Sequence, residues 1–321
     1  MTTRTVAFLF PGQGSQVVGM GKDLSAHYPL AKMTFEEADA ALDYRLSNLC
    51  FEGPEDQLKL TENAQPAILA VSIAALRILK HKGLQPEYVA GHSLGEYTAH
   101  VAAGTISFAD ALRTVRNRGR YMQSAVPVGV GAMAAVLGMS LADLEEVCHE
   151  ASGTHGEVVT PANINSPDQI VISGHVAAVQ RAADLAKEGG AKRAIMLQVS
   201  APFHSPLMQP AQDALAPDLE KLPFQNPSVP VAKNIDGELT QAADKSRQAL
   251  IRQVTGAVQW LKCVETLIAS GVTHFVEVGP GKVLSGLMRQ IDRSKICMNV
   301  EDQASFEKTM SQLGSLSAGG A

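Results

Sequence analysis

An α/β protein, in which a small domain is inserted into a larger one, is what this sequence predicts from three observations. Short apolar runs such as Val6–Phe10 and His274–Val278 end at Pro/Gly turns between helical stretches, the texture of an α/β domain. From residue 128 to 198 the order becomes β-α-β-β-α-β, the split βαβ or ferredoxin-like motif. One corner stands out: Gly91-His92-Ser93-Leu94-Gly95 has the G-x-S-x-G form of a nucleophile elbow, with an apolar strand before it and a helix after it.

Taken in order, Val6–Phe10 reads as a fully buried strand and Pro11-Gly12-Gln13-Gly14-Ser15 as a sharp turn. The glycines invite a nucleotide-binding reading, which fails. Val17 stands where G-x-G-x-x-G needs its third glycine, Gln16 where a Walker A needs its first, and Asp23 follows the lysine. What remains is a tight loop whose backbone can approach a ligand. Helices are predicted at Leu30–Leu42 and, more strongly, Gln65–His81, with Gly83 just past its end. Tyr88-Val89-Ala90 is the strand before the elbow, and Glu96–Ala103 the helix after it, stopped by Gly104. A helix Phe108–Ser124 and Pro127 close this block. In the insert, Ala132–Leu137, Val158–Asn165, Gln169–Ser173 and Arg193–Val199 read as strands. Leu141–Ala151, with Ser140 as N-cap, and Val176–Glu188 read as its helices. The larger domain then resumes with a helix around Leu207–Leu222 and a short strand Val229–Ala232. A mostly helical Val254–Ala269, the strand His274–Val278, the helix Val283–Ile291 and the strand Ile296–Val300 follow. Ser315–Ala321 reads as a frayed tail.

Composition bounds the function. The chain has 321 residues, 45% of them hydrophobic, enough for a sizeable core in about two domains. A net charge of −5 without a long basic run argues against nucleic acid and against an anionic membrane surface as partners. Cys50, Cys148, Cys263 and Cys297 are scattered, with no CxxC and no zinc spacing, so free thiols are expected and no metal. The first apolar run is too short for a signal peptide and no stretch is long enough to span a bilayer, so a soluble cytoplasmic protein is expected.

A serine hydroxyl is a weak nucleophile and needs a base. Glycines two residues either side of Ser93 remove the bulk that would block a strand-to-helix corner, and the helix N-terminus favours a negative oxygen. The plainer alternative is a tight turn with a capping serine. Of nine histidines, His27, His81, His149, His155 and His175 sit in helical or turn contexts typical of solvated residues. His92 lies within the elbow, but its side chain should leave in a different direction from that of Ser93. His100 follows on the next helix, and His274 starts a strand. His204 differs: Pro202 and Pro206 bracket it and would fix its position, although a structural turn histidine would look the same. Arg113, Arg116, Arg118 and Arg120 share one helix, and their spacing sends at least one inward, where it needs an anionic partner. A substrate carboxylate would serve, bound by the guanidinium fork.

Together these motifs resemble the malonyl-CoA:acyl carrier protein transacylases of bacterial fatty-acid synthesis. Phe10-Pro11-Gly12-Gln13-Gly14-Ser15-Gln16 resembles their opening motif, and Gly91–Tyr97 their nucleophile motif. Arg118-Gly119 with Met122-Gln123 resembles the arginine segment, and Asn163–Pro167 with Ile170–Gly174 the second-domain signature. Pro202–Met208 resembles the histidine loop and Glu277–Gly281 the C-terminal turn. Six motifs occur in order over nearly the whole chain. Gly256-Ala257 departs from the Asn-Pro that the family often shows before Val258-Gln259-Trp260.

The resemblance implies an α/β-hydrolase-like main domain, residues 1–127 and 199–321, carrying a ferredoxin-like subdomain, residues 128–198. It implies Ser93 as the acyl-accepting nucleophile, His204 as general base and Arg118 as the holder of the malonyl carboxylate. Backbone N–H groups of Gln13 and Leu94 would form the oxyanion hole, and the main-chain carbonyl of Gln253 would orient His204 in place of a triad acid. Phe203 resembles malonyl-selective members. The implied reaction is ping-pong transfer from malonyl-CoA to the phosphopantetheine thiol of acyl carrier protein, without metal, redox cofactor or ATP, by a chain expected to be monomeric. Two rivals share the elbow: an esterase or thioesterase, which leaves Arg118 unexplained, and the malonyltransferase subunit of malonate decarboxylase, which Leu94 and Glu96-Tyr97 disfavour.

Overall fold

The computed structural model describes residues 4–153, 156–199 and 201–318, folded as a mixed α/β protein with two sheets. The strands are β1 (Val6–Phe10), β2 (Tyr88–Gly91), β3 (Gly131–Leu137), β4 (Val159–Ser166), β5 (Gln169–His175), β6 (Arg193–Met196), β7 (Val231–Ala232), β8 (Leu239–Thr240), β9 (His274–Val278) and β10 (Ile296–Val300). One sheet has the order β10-β9-β1-β2-β7-β8, parallel except for β8. The other, β4-β5-β3-β6, is antiparallel throughout.

Parallel strands covered on both faces read as unbroken apolar runs, and β1 shows why. Successive side chains point to opposite faces. Val6, Phe8 and Phe10 join a core with the helices Thr61–His81, Leu94–Ala102 and Phe108–Ser124. Ala7 and Leu9 join another with Trp260–Ala269 and Val283–Ile291. Helices thus cover both faces of the larger sheet. In the smaller sheet Val136, Ile164, Ile170 and Ile172 pack on Leu144, Cys148, Val179 and Ala183 of the helices Leu141–Ser152 and Val176–Glu188. Ser140 caps the first of these, its side chain accepting from Asp143 N–H. Val258 ties the two parts together, donating to Ala162 O at 2.8 Å and accepting from Ile164 N–H at 2.9 Å.

Several stretches differ from the sequence reading. The helix expected from Val254 begins only at Trp260, and a helix Ala243–Arg252, which the hydrophobic pattern did not reveal, precedes it. Val254, Thr255 and Val258 are β-branched, and Gly256 lacks the Cβ that would overlap the Ile235 side chain, so this stretch turns rather than coils. Strand β6 stops at Met196; Leu197 N–H still donates to Met133 O at 2.9 Å, but residues 197–199 have no regular structure. A final helix, Gln303–Ala318, takes in most of the expected tail; residues 319–321 lie outside the described residues. The helix expected from Gln65 starts at Thr61, because its first residues are polar and carry no apolar period. Among the described residues no helix is long and apolar enough to cross a membrane.

Candidate active site

Strand β2 ends at Gly91 and the next helix begins at Leu94, so His92 and Ser93 alone turn the corner. Ser93 is held at φ 51°, ψ −104°, left-handed backbone that costs a non-glycine residue ~1–3 kcal/mol. A Cβ on Gly91 would overlap the Gly95 backbone, and one on Gly95 would overlap the Phe10 carbonyl. The corner therefore closes only with glycine at both places. Asn234 secures it: Oδ1 accepts from Ser93 N–H at 2.7 Å, and Nδ2 donates to Gly91 O at 2.8 Å. The Ser93 hydroxyl makes no capping bond, so the plainer reading of a capping serine fails. It lies 2.7 Å from His204 Nε2 and 3.1 Å from Arg118 Nη2.

His204 sits in a turn that Ser205 closes by donating to Pro202 O at 2.7 Å. Its Nδ1 faces two carbonyl oxygens, Gln253 O at 2.8 Å and Gly256 O at 3.2 Å. Two acceptors place the proton on Nδ1 and leave the Nε2 lone pair for the Ser93 hydroxyl. Gln253 is the C-cap of Ala243–Arg252, and the last carbonyls of a helix have no helical partner. That free carbonyl is what the imidazole uses. Burial, reinforced by the Arg118 charge, pushes the His204 pKa down to about 3, so the ring is neutral at neutral pH.

Of the four arginines on Phe108–Ser124, three serve the outside. Arg113 pairs with Asp110, Arg120 with Glu62, and Arg116 stacks on the Tyr44 ring. Arg118 points inward and is 1% exposed. Its neighbour Gly119 lets the helix approach the backbone of residues 61 and 62, which a Cβ would meet at 2.7 Å. Arg118 Nη1 donates to Gln65 Oε1 at 2.8 Å and Nη2 to Gln253 Oε1 at 2.9 Å, and the guanidinium lies 5.5 Å from the Tyr97 ring centre. Every acceptor it meets among the described residues is uncharged. A buried cation surrounded by neutral oxygens is suited to an anion that arrives from outside.

These groups open into a cavity of about 650 Å³. Gln13, Ser93, Arg118 and His204 line one side, and Met133, Leu197 and Val199 the other, so it lies between the two sheets. Gly12 brings the Gln13 loop against the elbow, where a Cβ would overlap the His92 carbonyl. Leu94 is the first residue of its helix, so its N–H has no helical acceptor. Phe203 also borders the cavity. His92 turns away from Ser93, its Nε2 meeting Asn165 Oδ1 at 2.8 Å. His27, His81 and His149 are exposed, His175 is half-buried and accepts from Val158 N–H at 3.0 Å, and His155 lies outside the described residues. Sequence reasoning missed Gln65, Glu96 and Asn234, and the side chain of Gln253, which support the site from below. Glu96 is fully buried, and desolvation pushes its carboxyl up to about 7 against hydrogen bonds from Gln253 and Asn234. Among the described residues no group of side chains could hold a metal ion. The arrangement can activate a hydroxyl, bind an anion beside it, and take and return a proton at one nitrogen.

The chain matches the family described as acyl transferase domain over residues 7–309. It is 49% identical over 309 residues to the malonyl CoA-acyl carrier protein transacylase of Bacillus subtilis, covering 96% of this chain and 97% of that one. To the protein of that name from Escherichia coli K12 it is 51% identical over 286 residues, covering 89% and 92%. Among solved structures, the malonyl CoA-acyl carrier protein transacylase of Coxiella burnetii superimposes with a TM-score of 0.94 at 42% identity, covering 97% and 98%. A malonyl-transacylase in complex with a type II PKS acyl-carrier protein gives 0.93 at 44% identity, covering 96% and 99%. A match along nearly the whole sequence, with full-length relatives at about half identity, shows that the chain belongs to the acyl transferase family that includes the malonyl CoA-acyl carrier protein transacylases.

Proposed function

We propose that this protein moves the malonyl group of malonyl-CoA to the phosphopantetheine thiol of acyl carrier protein through an ester on Ser93. The observation that carries this reading is Arg118, a buried guanidinium met only by neutral oxygens and 3.1 Å from the Ser93 hydroxyl. The malonyl carboxylate is the charge it lacks. With that carboxylate on Arg118, the thioester carbonyl is delivered to Ser93. His204 Nε2 takes the hydroxyl proton as Oγ attacks. The tetrahedral oxyanion is held by the N–H groups of Gln13 and Leu94, at ~3–4 kcal/mol per donor in comparable sites. Collapse breaks the C–S bond, and His204 returns the proton to the departing coenzyme A sulfur. In the second half-reaction the carrier thiol gives its proton to His204 and attacks the ester, and Ser93 Oγ leaves with that proton. A thioester becomes an ester and then a thioester, so protons and electrons balance without an added reagent. The Gln253 carbonyl keeps the productive tautomer throughout without a third ionised group.

The same reading makes residues 1–127 and 199–321 an α/β-hydrolase-like domain and residues 128–198 a ferredoxin-like subdomain closing over the cavity. The separate antiparallel sheet of β3 to β6, with two helices on one face, supports this. A cytoplasmic location is supported by four free cysteines. The test is kinetic. Labelled coenzyme A should exchange into malonyl-CoA with no carrier present, and initial rates against both substrates should give parallel double-reciprocal lines. Intersecting lines without exchange would rule out the seryl ester.

A further inference from the structure

Beneath the reacting atoms lies a carboxylate that the transfer steps do not use. Glu96, in the first turn of the helix after the elbow, is 0% exposed. Its Oε2 accepts from Gln253 Nε2 at 2.6 Å and from Asn234 N–H at 3.1 Å, while its Oε1 has no hydrogen-bond partner among the described residues. A buried carboxylate is costly, and a neutral side chain would fill the same volume without that cost. What it touches shows what it does.

The amide of Gln253 has its two ends in different company. Nε2 donates to Glu96 and, at 3.0 Å, to Ser93 O; Oε1 accepts from Arg118 Nη2 at 2.9 Å. The two ends of a primary amide are almost alike in shape, so the partners decide which is which. Reversed, the amide would set its N–H₂ against the guanidinium and its oxygen against a carboxylate. Each contact would then oppose like with like. Glu96 opposes the reversal from below, and its Oε2 is the nearest oxygen that Gln253 Nε2 meets among the described residues.

We infer that Glu96 is a positioning residue for acyl-group selection: by accepting from Gln253 Nε2 it holds the amide oxygen on Arg118 and so sets the guanidinium that receives the substrate carboxylate. The inference rests on the reading of Arg118 given above. It separates two duties of one residue. The Gln253 side chain serves Arg118, whereas its main-chain carbonyl, fixed at the end of a helix, serves His204. Losing Glu96 removes the shortest bond that Gln253 Nε2 makes and leaves the longer one to Ser93 O, while the carbonyl stays where the helix end holds it. Recognition of a carboxylate suffers, and proton transfer does not.

Loading from malonyl-CoA and from acetyl-CoA, followed by intact mass at subsaturating substrate, tests this in wild type, Glu96→Ala and Glu96→Gln. Wild type comes first: no malonyl adduct on it would sink the proposed function before the variants are compared. Glu96→Ala should lose about 10- to 100-fold in malonyl loading, the range for one hydrogen bond to a charged group, with acetyl loading within about threefold of wild type. Glu96→Gln can accept both bonds through its carbonyl oxygen and should keep the malonyl preference to within about threefold. Where Glu96→Ala does not fold, Glu96→Met fills the volume without an oxygen and is read in its place. Equal losses for both acyl groups would overturn the inference, as would an unchanged preference or a Glu96→Gln protein as unselective as the acceptor-free variant. Failure of both acceptor-free variants to fold would overturn it too, since support of the fold would then account for Glu96.

Discussion

Replacing Arg118 by alanine is the perturbation whose consequences the structure fixes most tightly. The guanidinium is 1% exposed and is held by three oxygens at 2.8, 2.9 and 3.1 Å. A malonyl carboxylate entering this pocket gives up its water and regains charge-assisted hydrogen bonds, worth ~1.5–3 kcal/mol each. Without the arginine that carboxylate is buried unpaired, a loss of ~3–5 kcal/mol when breaking such a pair. The cavity of about 650 Å³ admits some water, so the lower end applies. At 1.4 kcal/mol per tenfold, kcat/KM for malonyl loading should fall ~10²–10³-fold. Acetyl has no carboxylate to strand, and Ser93 Oγ loses a donor that ties up a lone pair, so acetyl loading should hold or rise. Arg118→Lys keeps the charge without the fork and should fall between the two. Both acyl-CoA substrates are assayed on the same preparation, with thermal melting as the control for folding. An equal loss for malonyl and acetyl would refute the argument, because Arg118 would then be holding the structure and not the substrate.

Three other outcomes follow from the same geometry. His204→Ala should slow both acylation by malonyl-CoA and discharge to the carrier by ~10²–10⁴-fold each in single-turnover assays, and a defect confined to discharge would mean another group activates Ser93. His100 is fully buried and burial depresses its pKa to about 3 from 6.5, so its contribution to stability is complete above pH 6.5 and is lost as pH falls from there. By pH 5 that loss is ~2 kcal/mol, and urea melts should show His100→Leu losing that much less than wild type between pH 8 and pH 5; identical losses would refute it. Gly91→Ala puts a methyl group into the Gly95 backbone, and should cost ~3 kcal/mol or more in stability together with malonyl loading, so a variant that melts and loads like wild type would contradict the need for glycine at the elbow.

The parts of the site that can be read from the sequence are those that impose a local pattern. The elbow needs glycines two residues either side of Ser93, and a strand and helix to join, and all of these are visible as letters. The helix Phe108–Ser124 carries its boundaries in Ser107 and Pro127, although only the fold shows which of its four arginines turns inward. His204 draws notice through its flanking prolines, yet its distance to Ser93 spans 111 residues of chain that no local rule measures. The roles of Gln13, Leu94 and Gln253 came from family resemblance, since a backbone N–H or carbonyl leaves no mark on residue type. Gln65 and Asn234 escaped for a related reason: single polar residues in apolar helices and loops look like surface positions until their partners are known, and Glu96, although inside the nucleophile motif, shows its role only through Gln253 and Asn234. The misread stretch from Val254 had a functional consequence. A helix there would have taken up the Gln253 carbonyl within its first turn, and the turn that replaces it leaves that oxygen to His204.

The most direct measurement is the position of the acyl group. A pulse of malonyl-CoA, acid quench and peptide mapping should place one malonyl ester on Ser93, absent from Ser93→Ala and discharged when acyl carrier protein bearing its phosphopantetheine thiol is added. An adduct on another residue, or full transfer activity in Ser93→Ala, would contradict the account.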